Sequence, residues 1–480
     1  MRKYYLFDRG FYHPQGNYNI TIQSNKVTKD SINNPMFTEG FFSTPKLPWE
    51  VRYDNGYPNI IYDHVDKLYK LYYTMIIYDP VSEAADKATR AITKYKPMPN
   101  RLTATGYAQS EDGIHWIKPN LGLEEFNGSK DNNILMLYAH GTGVFLDEEE
   151  TDPTKRFKMI TLVDLSEKEH YLASSFSSDG IHWSELIPWP KNNINGDTHN
   201  FPFRDKIDGK YKAISRKWQN GQRISVISES TDFINWTNPQ EIIRGIGFGN
   251  QVYSMPVFQS CNAYIGLASI FHEGDASLEN FDTVDCHLTY ATSNPTKFNF
   301  VDDNLSPFIE NGKGKYPNGE FDCCCIYAAT PIEIDNKLCF YYMGGNGQHT
   351  NFRETSFGRA FLEKDKFAYA TNRDGSKDGK IVSTQVEFTG SKLRLLCEID
   401  SPDHIKVGLY SHWDEKPYPG FSFEDCKIKK SESNCDWYSV EFPASPSTLP
   451  ADKKIHIIIK LNKGKIFAIE GDFQHTSTVY

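Results

Sequence analysis

Ser110-Glu111-Asp112-Gly113-Ile114-His115-Trp116 returns as Ser177-Ser178-Asp179-Gly180-Ile181-His182-Trp183, and again, altered, as Ser230-Thr231-Asp232-Phe233-Ile234-Asn235-Trp236. Repetition on this scale marks solenoids, propellers or arrays. The aspartate can accept from the amides that follow it, glycine tolerates positive φ, and the tryptophan can pack between sheets. These turns therefore read as scaffold.

Working outward, a strand precedes each turn: Thr103 to Ser110, Tyr171 to Phe176 and Ile224 to Ser230. Before that lies an aromatic or apolar strand with a lysine second: Tyr69-Lys70-Leu71-Tyr72-Tyr73, Phe157-Lys158-Met159-Ile160 and Tyr211-Lys212-Ala213-Ile214. Before that again lies a short strand ending in aspartate, at Asp63, Asp147 and Asp205. Weaker copies follow at Tyr253 to Thr292 and at Ile326 to Leu362. The runs are short, rich in aromatic and β-branched residues, and bounded by Gly, Asn and Asp. The order predicts an all-β chain, a five-bladed β-propeller over about residues 45–370 followed by a C-terminal β-sandwich over 381–480. A polar segment, 371–380, separates the two. Residues 1–44 are predicted to pack on the propeller as a closing strand or a lid.

The chain has 480 residues, enough for two domains. Its net charge of −10, without a basic cluster, argues against nucleic acid. There is no apolar run of signal-peptide or membrane-spanning length, so a cytoplasmic location without membrane contact is expected. Nine cysteines is an odd count, and Cys323-Cys324-Cys325 suits no ordinary disulfide framework. Reduced thiols fit this, while a Cys426–Cys435 bridge would fit an exported protein. Oligomeric state is not legible.

In a propeller the loops entering the innermost strands converge on one funnel. They carry Trp49, Glu50, Arg52 and Asp54; His140; Asp197, His199 and Asn200; Tyr253; and Glu320 with Asp322. Facing carboxylates can hydrolyse glycosidic bonds, one protonating the leaving oxygen and the other attacking the anomeric carbon or activating water. Asp322, and after it Glu320, is the expected acid, because the neighbouring cysteine run disfavours a buried charge. Asp54 or Glu50 would be nucleophile or base. Asp197 would hold hydroxyls or stabilise the oxocarbenium ion. His349 joins the expected sugar contacts. Some of these polar residues could instead cap turns or strand edges.

Trp49 to Asn59, followed by Leu68-Tyr69-Lys70-Leu71-Tyr72-Tyr73-Thr74, resembles the first blade of the five-bladed glycosidases of families 32, 43 and 68. Phe203-Arg204-Asp205 is similar to the Arg-Asp-Pro element of those families, whose aspartate stabilises the transition state. Asn34-Pro35-Met36-Phe37, Lys118-Pro119-Asn120-Leu121-Gly122 and Pro419-Gly420-Phe421-Ser422-Phe423 extend the resemblance to a family-32-like bacterial group over nearly the whole chain. It implies a glycosidase, with furanosides among the expected substrates and Asp205 as a site residue. The sequence departs from the family pattern. Asn55-Gly56-Tyr57 separates Asp54 from Pro58-Asn59, no proline follows Asp205, and Tyr253-Ser254-Met255 stands where a Glu-Cys element would supply the acid. Asp205 also matches Asp63 and Asp147 as a turn residue.

A sialidase would need an arginine cluster, and only Arg52 and Arg204 fall near the funnel. His140, His199 and His349 beside Asp197 lack the spacing of a catalytic zinc site, and no metal ligand set is assigned. No cofactor is expected, although the oxygen-rich loops leave room for a structural Ca2+ on the axis. No Gly-x-Ser-x-Gly elbow supports a serine hydrolase. The missing family elements keep a second reading open, a sugar-binding propeller without catalysis. In either case the expected partner is a carbohydrate.

Overall fold

The computed structural model describes residues 1–99, 101–166, 169–190, 194, 196–261, 263–411, 416–431, 436–450 and 455–476. The chain is nearly all-β. Each of the first three repeats forms a four-stranded antiparallel sheet in chain order. The first contains Asn59–Asp63, Leu68–Tyr78, Leu102–Ser110 and Ile134–Leu137. The second runs from Ala139–Leu146 to Ile187–Pro188, and the third from Phe201–Arg204 to Gln240–Arg244. The fourth and fifth repeats share one eleven-stranded sheet, joined where Val284 bridges Cys325 in parallel. Four sheets therefore stand where five separate ones are predicted, because two antiparallel meanders touch at one backbone pair.

The repeated turns behave as scaffold. Asp112 Oδ1 accepts from the amides of Ile114 and His115, both at 2.8 Å. Asp179 and Asp232 do the same in their copies. Gly180 has φ +78°, and a Cβ there would lie 2.2 Å from the Tyr72 hydroxyl of the preceding sheet. In the altered copy Phe233 takes this position at φ 65°. Its ring is fully buried among Phe145, Phe176, Tyr211 and Trp236.

The strand-ending aspartates tie neighbouring sheets. Asp63 accepts from Lys70 at 3.0 Å within its sheet and from Arg156 of the next at 2.8 Å. Asp147 pairs with Lys158 at 3.0 Å and accepts from Tyr211 of the next sheet at 3.0 Å. Asp205 accepts from Tyr264 and Gln259 of the fourth repeat, both at 2.8 Å. Buried carboxylates need such partners, which explains why the Asp/Lys pattern recurs.

The C-terminal segment supplies eight strands of a ten-stranded sheet system with Val386–Glu398 and Lys465–His475 at its centre. Ile405–Ser411 and Gly379–Val382 flank Ile455–Leu461, and this trio meets the rest at Val386 with Ile455. The N-terminal segment is shared out. Arg2–Tyr5 and Ile20–Ser24 join the C-terminal sheet, whereas Thr28–Lys29 and Phe37–Thr38 edge the fifth repeat at Thr355–Glu363. Two short helices, Pro80–Ala84 and Lys87–Ile92, depart from the all-strand expectation. Asp79 and Asp86 cap them by accepting from Ser82 N and Thr89 N, and Pro80 opens the first. Among the described residues no helix is long and apolar enough to cross a membrane. Eight cysteines are free thiols, and Cys435 lies outside the described residues.

The turn geometry has a direct test. Gly180→Ala is expected to destabilise the fold by about 1–3 kcal/mol through positive φ and the Tyr72 contact together. Gly209→Ala, at φ +73° with nothing within 4 Å of the added Cβ, should lose less. Equal losses on urea denaturation would show that the close approach to Tyr72 contributes nothing.

Candidate active site

A cleft of about 1310 Å3 opens where the first strands of the repeats begin and the second strands end. Of the sequence-predicted residues it gathers Arg52, Asp54, His140, Asp197, Tyr253 and His349. Asp54 sits in a tight turn with left-handed backbone, φ 53°, followed by Gly56 at φ 70° and Tyr57 at φ 42°. Its carbonyl accepts from the Thr355 hydroxyl at 3.0 Å. Behind it Glu39, fully buried, accepts from Tyr53 N at 3.1 Å and Thr355 N at 3.2 Å. Glu39 thus clasps the residues on either side of the junction between the first and fifth repeats.

Three carboxylates line the cleft, Asp54, Asp164 and Asp197, and the first and last of them stand beside arginine. Arg353 Nη2 donates to Asp54 Oδ1 at 3.1 Å, and Arg52 Nη2 lies 3.7 Å from the same oxygen. Burial opposes charge on Asp54, but the Arg353 and Arg52 guanidiniums overcome it and hold the carboxyl well below the usual range. Arg216 Nη2 donates to Asp197 Oδ2 at 2.6 Å, and His140 Nδ1 lies 3.8 Å from Asp197 Oδ1. That ring nitrogen is buried and makes no hydrogen bond. His349 is pushed well below the ordinary imidazole range by burial and then by Arg353, so it is neutral at neutral pH. Its Nδ1 meets the Tyr327 hydroxyl at 2.8 Å, and its ring lies 4.6 Å from that of Tyr253. Partly exposed rings of Trp218 and Tyr138 add aromatic wall.

The other predicted residues do not line the cleft. Trp49 donates through Nε1 to Asn133 at 2.7 Å. Glu50 is buried and accepts from Gly40 N at 2.7 Å, Tyr53 at 2.7 Å and Lys118 at 2.8 Å. His199, lowered to about 3 by burial, meets Asn59 Oδ1 at 2.9 Å. Asn200 bridges the carbonyls of Gly141 and Gly196. Asp205 is the inter-sheet tie described above. Asp322 is buried, paired with Lys29 at 2.6 Å and bonded by Tyr342 at 2.8 Å. Glu320 accepts from Lys313 N at 2.8 Å. Neither of the two expected acids therefore faces the cleft, because ion pairs and loop amides use them elsewhere.

The arginine expectation also needs correction. Arg204 binds Asp147 and Glu149 away from the cleft. Arg52 is instead joined by Arg101 in the wall and by Arg353, Arg216 and Arg223 behind it. Buried Arg52 Nε and Nη1, Arg216 Nε and Nη1, and Arg353 Nε make no hydrogen bond. Arg101, Arg216, Arg223 and Arg353 come from strands and connections outside the loops entering the innermost strands. Their positions became visible only with the register.

No family model matches the chain, and no curated protein matches it. Solved structures similar to it include a glycosyl hydrolase from Bacteroides ovatus, at 16% identity over 71% of this chain and 94% of that one, with a TM-score of 0.46. A β-1,2-mannobiose phosphorylase from Listeria innocua is 14% identical over 73% of this chain and 98% of that one, with a TM-score of 0.44. A fructofuranosidase from Schwanniomyces occidentalis is 13% identical over 94% of this chain and 99% of that one, with a TM-score of 0.41.

Burial raises Glu39 from 4.5 to about 7. A raised carboxyl binds its proton more tightly in the folded state, so its contribution is full below pH 4.5 and is lost as pH rises through 7. Glu39→Gln keeps an oxygen for the two amides and removes the titration. Relative to wild type, its unfolding free energy is expected to rise by about 2 kcal/mol between pH 5.5 and pH 8, at about 1.4 kcal/mol per pH unit. A pH-independent difference in urea denaturation would contradict the buried, titrating carboxyl.

Proposed function

We propose that the chain is a glycosidase working in the axial cleft of a five-bladed β-propeller, with residues 381–480 as an accessory β-sandwich. Ring closure is supported by contacts between successive repeats. Asn59 donates to Thr142 O at 2.8 Å, Thr198 to Tyr253 O at 2.7 Å, and Val284 N to Cys324 O at 2.8 Å. Tyr341 of the fifth repeat donates to Gly113 O of the first at 3.0 Å.

The observation that carries the functional reading is the meeting of Asp54, Asp197 and His140 in one arginine-rich cleft. Hydrolysis of a glycoside puts the oxygen of water on the anomeric carbon and a proton on the departing oxygen. Asp54, kept ionised, suits the role of nucleophile, base or oxocarbenium stabiliser. His140, beside Asp197, suits proton delivery, which the carboxyls of the fifth repeat cannot perform from outside the cleft. Arg52 and Arg101 suit a substrate bearing a carboxylate or sulfate, since a guanidinium pairs with planar or tetrahedral oxyanions through two parallel bonds. Trp218 and Tyr138 offer faces to sugar rings.

One observation favours a second reading, a binding module without turnover. Asp54 and Asp197, the two predicted carboxylates that reach the cleft, are both engaged by arginine.

A sugar-release screen should therefore compare uronic-acid and sulfated oligosaccharides with neutral ones. Release is expected from an acidic substrate. Asp54→Asn should lower kcat/KM by about 100-fold or more. Arg101→Met should act mainly on KM for the acidic substrate. His140→Gln should slow natural glycosides more than activated aryl glycosides, which need little protonation. Saturable binding of acidic glycans without release over long incubation would favour the binding module, and preference for neutral sugars would remove the anionic assignment.

A further inference from the structure

Three side chains at the edge of the fourth repeat have no part in the cleft. His272 closes the strand Ala263–His272, and Asp285 and His287 lie near the start of Val284–Thr292. Alternation along the second strand puts Asp285 and His287 on one face, and the register pairs Phe271 with Val284, which brings His272 alongside. His272 Nε2 lies 3.0 Å from Asp285 Oδ2, and His287 Nε2 lies 2.9 Å from Asp285 Oδ1. The donor atoms of all three fall within 4.8 Å of one another.

Those distances would suit hydrogen bonds, yet His272 Nε2, His287 Nε2 and Asp285 Oδ1 are buried without a hydrogen-bond partner. At those distances neither nitrogen is well aligned for a hydrogen bond to the carboxylate. The opposite edge of the His272 ring explains more. Its Nδ1 meets Asn250 Oδ1 at 2.7 Å, which turns Nε2 toward Asp285. A cation held between Nε2 and the carboxylate would satisfy both. Bonds of about 2.1 Å meeting at right angles, as in an octahedral shell, hold neighbouring donors about 3.0 Å apart, close to the spacing of each imidazole nitrogen from its carboxylate oxygen. A ligating histidine whose other nitrogen is fixed by an oxygen is also the usual arrangement around a metal.

We propose that His272, Asp285 and His287 bind one divalent transition-metal ion, with Asn250 positioning His272. Two imidazoles and one carboxylate suit Zn2+, Mn2+, Co2+ or Fe2+ rather than Ca2+, whose ligands are oxygens. The ion pins the edge of the fourth repeat. Its neighbour Gln251 accepts from Arg223 N at 3.1 Å and Arg223 Nη1 at 3.0 Å, and Arg223 lies over the Tyr253 ring at the cleft. The role is therefore structural, one layer behind the cleft.

The full-length protein, stripped with chelator, is titrated calorimetrically with ZnCl2, and with CoCl2 in the absorption spectrometer. One equivalent per chain, a raised melting temperature and Co2+ bands of nitrogen/oxygen ligation are expected. Asp285→Asn and His287→Gln should each weaken Zn2+ binding at least tenfold, and Asn250→Ala by about 10–100-fold. His115→Gln with His182→Gln, on exposed turns, should leave the stoichiometry unchanged. Absence of stoichiometric binding by the wild-type protein, unchanged affinity in the ligand variants, or an intense thiolate-to-cobalt band from the cysteines overturns the proposal. Should the ligand variants fail to fold, the wild-type titration and cobalt spectrum decide alone.

Discussion

A buried guanidinium must be neutralised where it stands, and Arg353 meets that demand across the junction between the last repeat and the first. Its Nη2 donates to Asp54 at 3.1 Å and to Asn55 at 2.9 Å, and its Nη1 donates to the carbonyl of His349. Asp54 in turn occupies a left-handed backbone position, which these contacts help to hold. One ion pair therefore joins the fifth repeat to the first, fixes the turn and favours the charged form of Asp54. Loss of Arg353 would strand Asp54 without its strongest partner, so the contact between these repeats and the site electrostatics cannot be varied independently.

The same logic recurs between the other sheets at lower stakes. Asp63, Asp147 and Asp205 each bind a lysine of their own sheet and reach a partner on the next. The partner changes from arginine to tyrosine, yet the carboxylate stays buried and paired. This explains why Asp205, which resembles a transition-state aspartate in its local sequence, serves as a tie between sheets here. A motif three residues long cannot tell a carboxylate that faces a ligand from one that faces the neighbouring sheet.

What was legible in the sequence follows from this difference in scale. Turns, strand order and the shared opening of Asp54, His140 and Asp197 are local or periodic properties, and the repeat exposed them. Orientation was not legible. Glu50 and Asp54 lie four residues apart in one loop, but Glu50 turns back to Gly40, Tyr53 and Lys118 while Asp54 meets the cleft. Lys29, an N-terminal residue, claims Asp322, and no spacing rule links positions so far apart. The arginines escaped for the same reason. A net charge of −10 describes the whole chain, and it hides a cleft into which strand ends from several repeats bring guanidiniums.

The N-terminal segment shows how such long-range contacts become coupled to the site. It pairs with the C-terminal sheet through Arg2–Tyr5 and Ile20–Ser24, then runs along the fifth repeat through Thr28–Lys29 and Phe37–Thr38. It ends beside Glu39 and Gly40, whose contacts with Tyr53, Thr355 and Glu50 brace the Asp54 turn. A hydrophobic core shared by Tyr5, Leu6, Leu267, Phe340, Ile459 and Phe467 joins this segment to both sheet systems. The C-terminal sheet lies away from the cleft, yet the strand that completes it continues into the residues that hold Asp54 in place. A sheet without cleft residues thus contributes to the site by anchoring the segment that braces it.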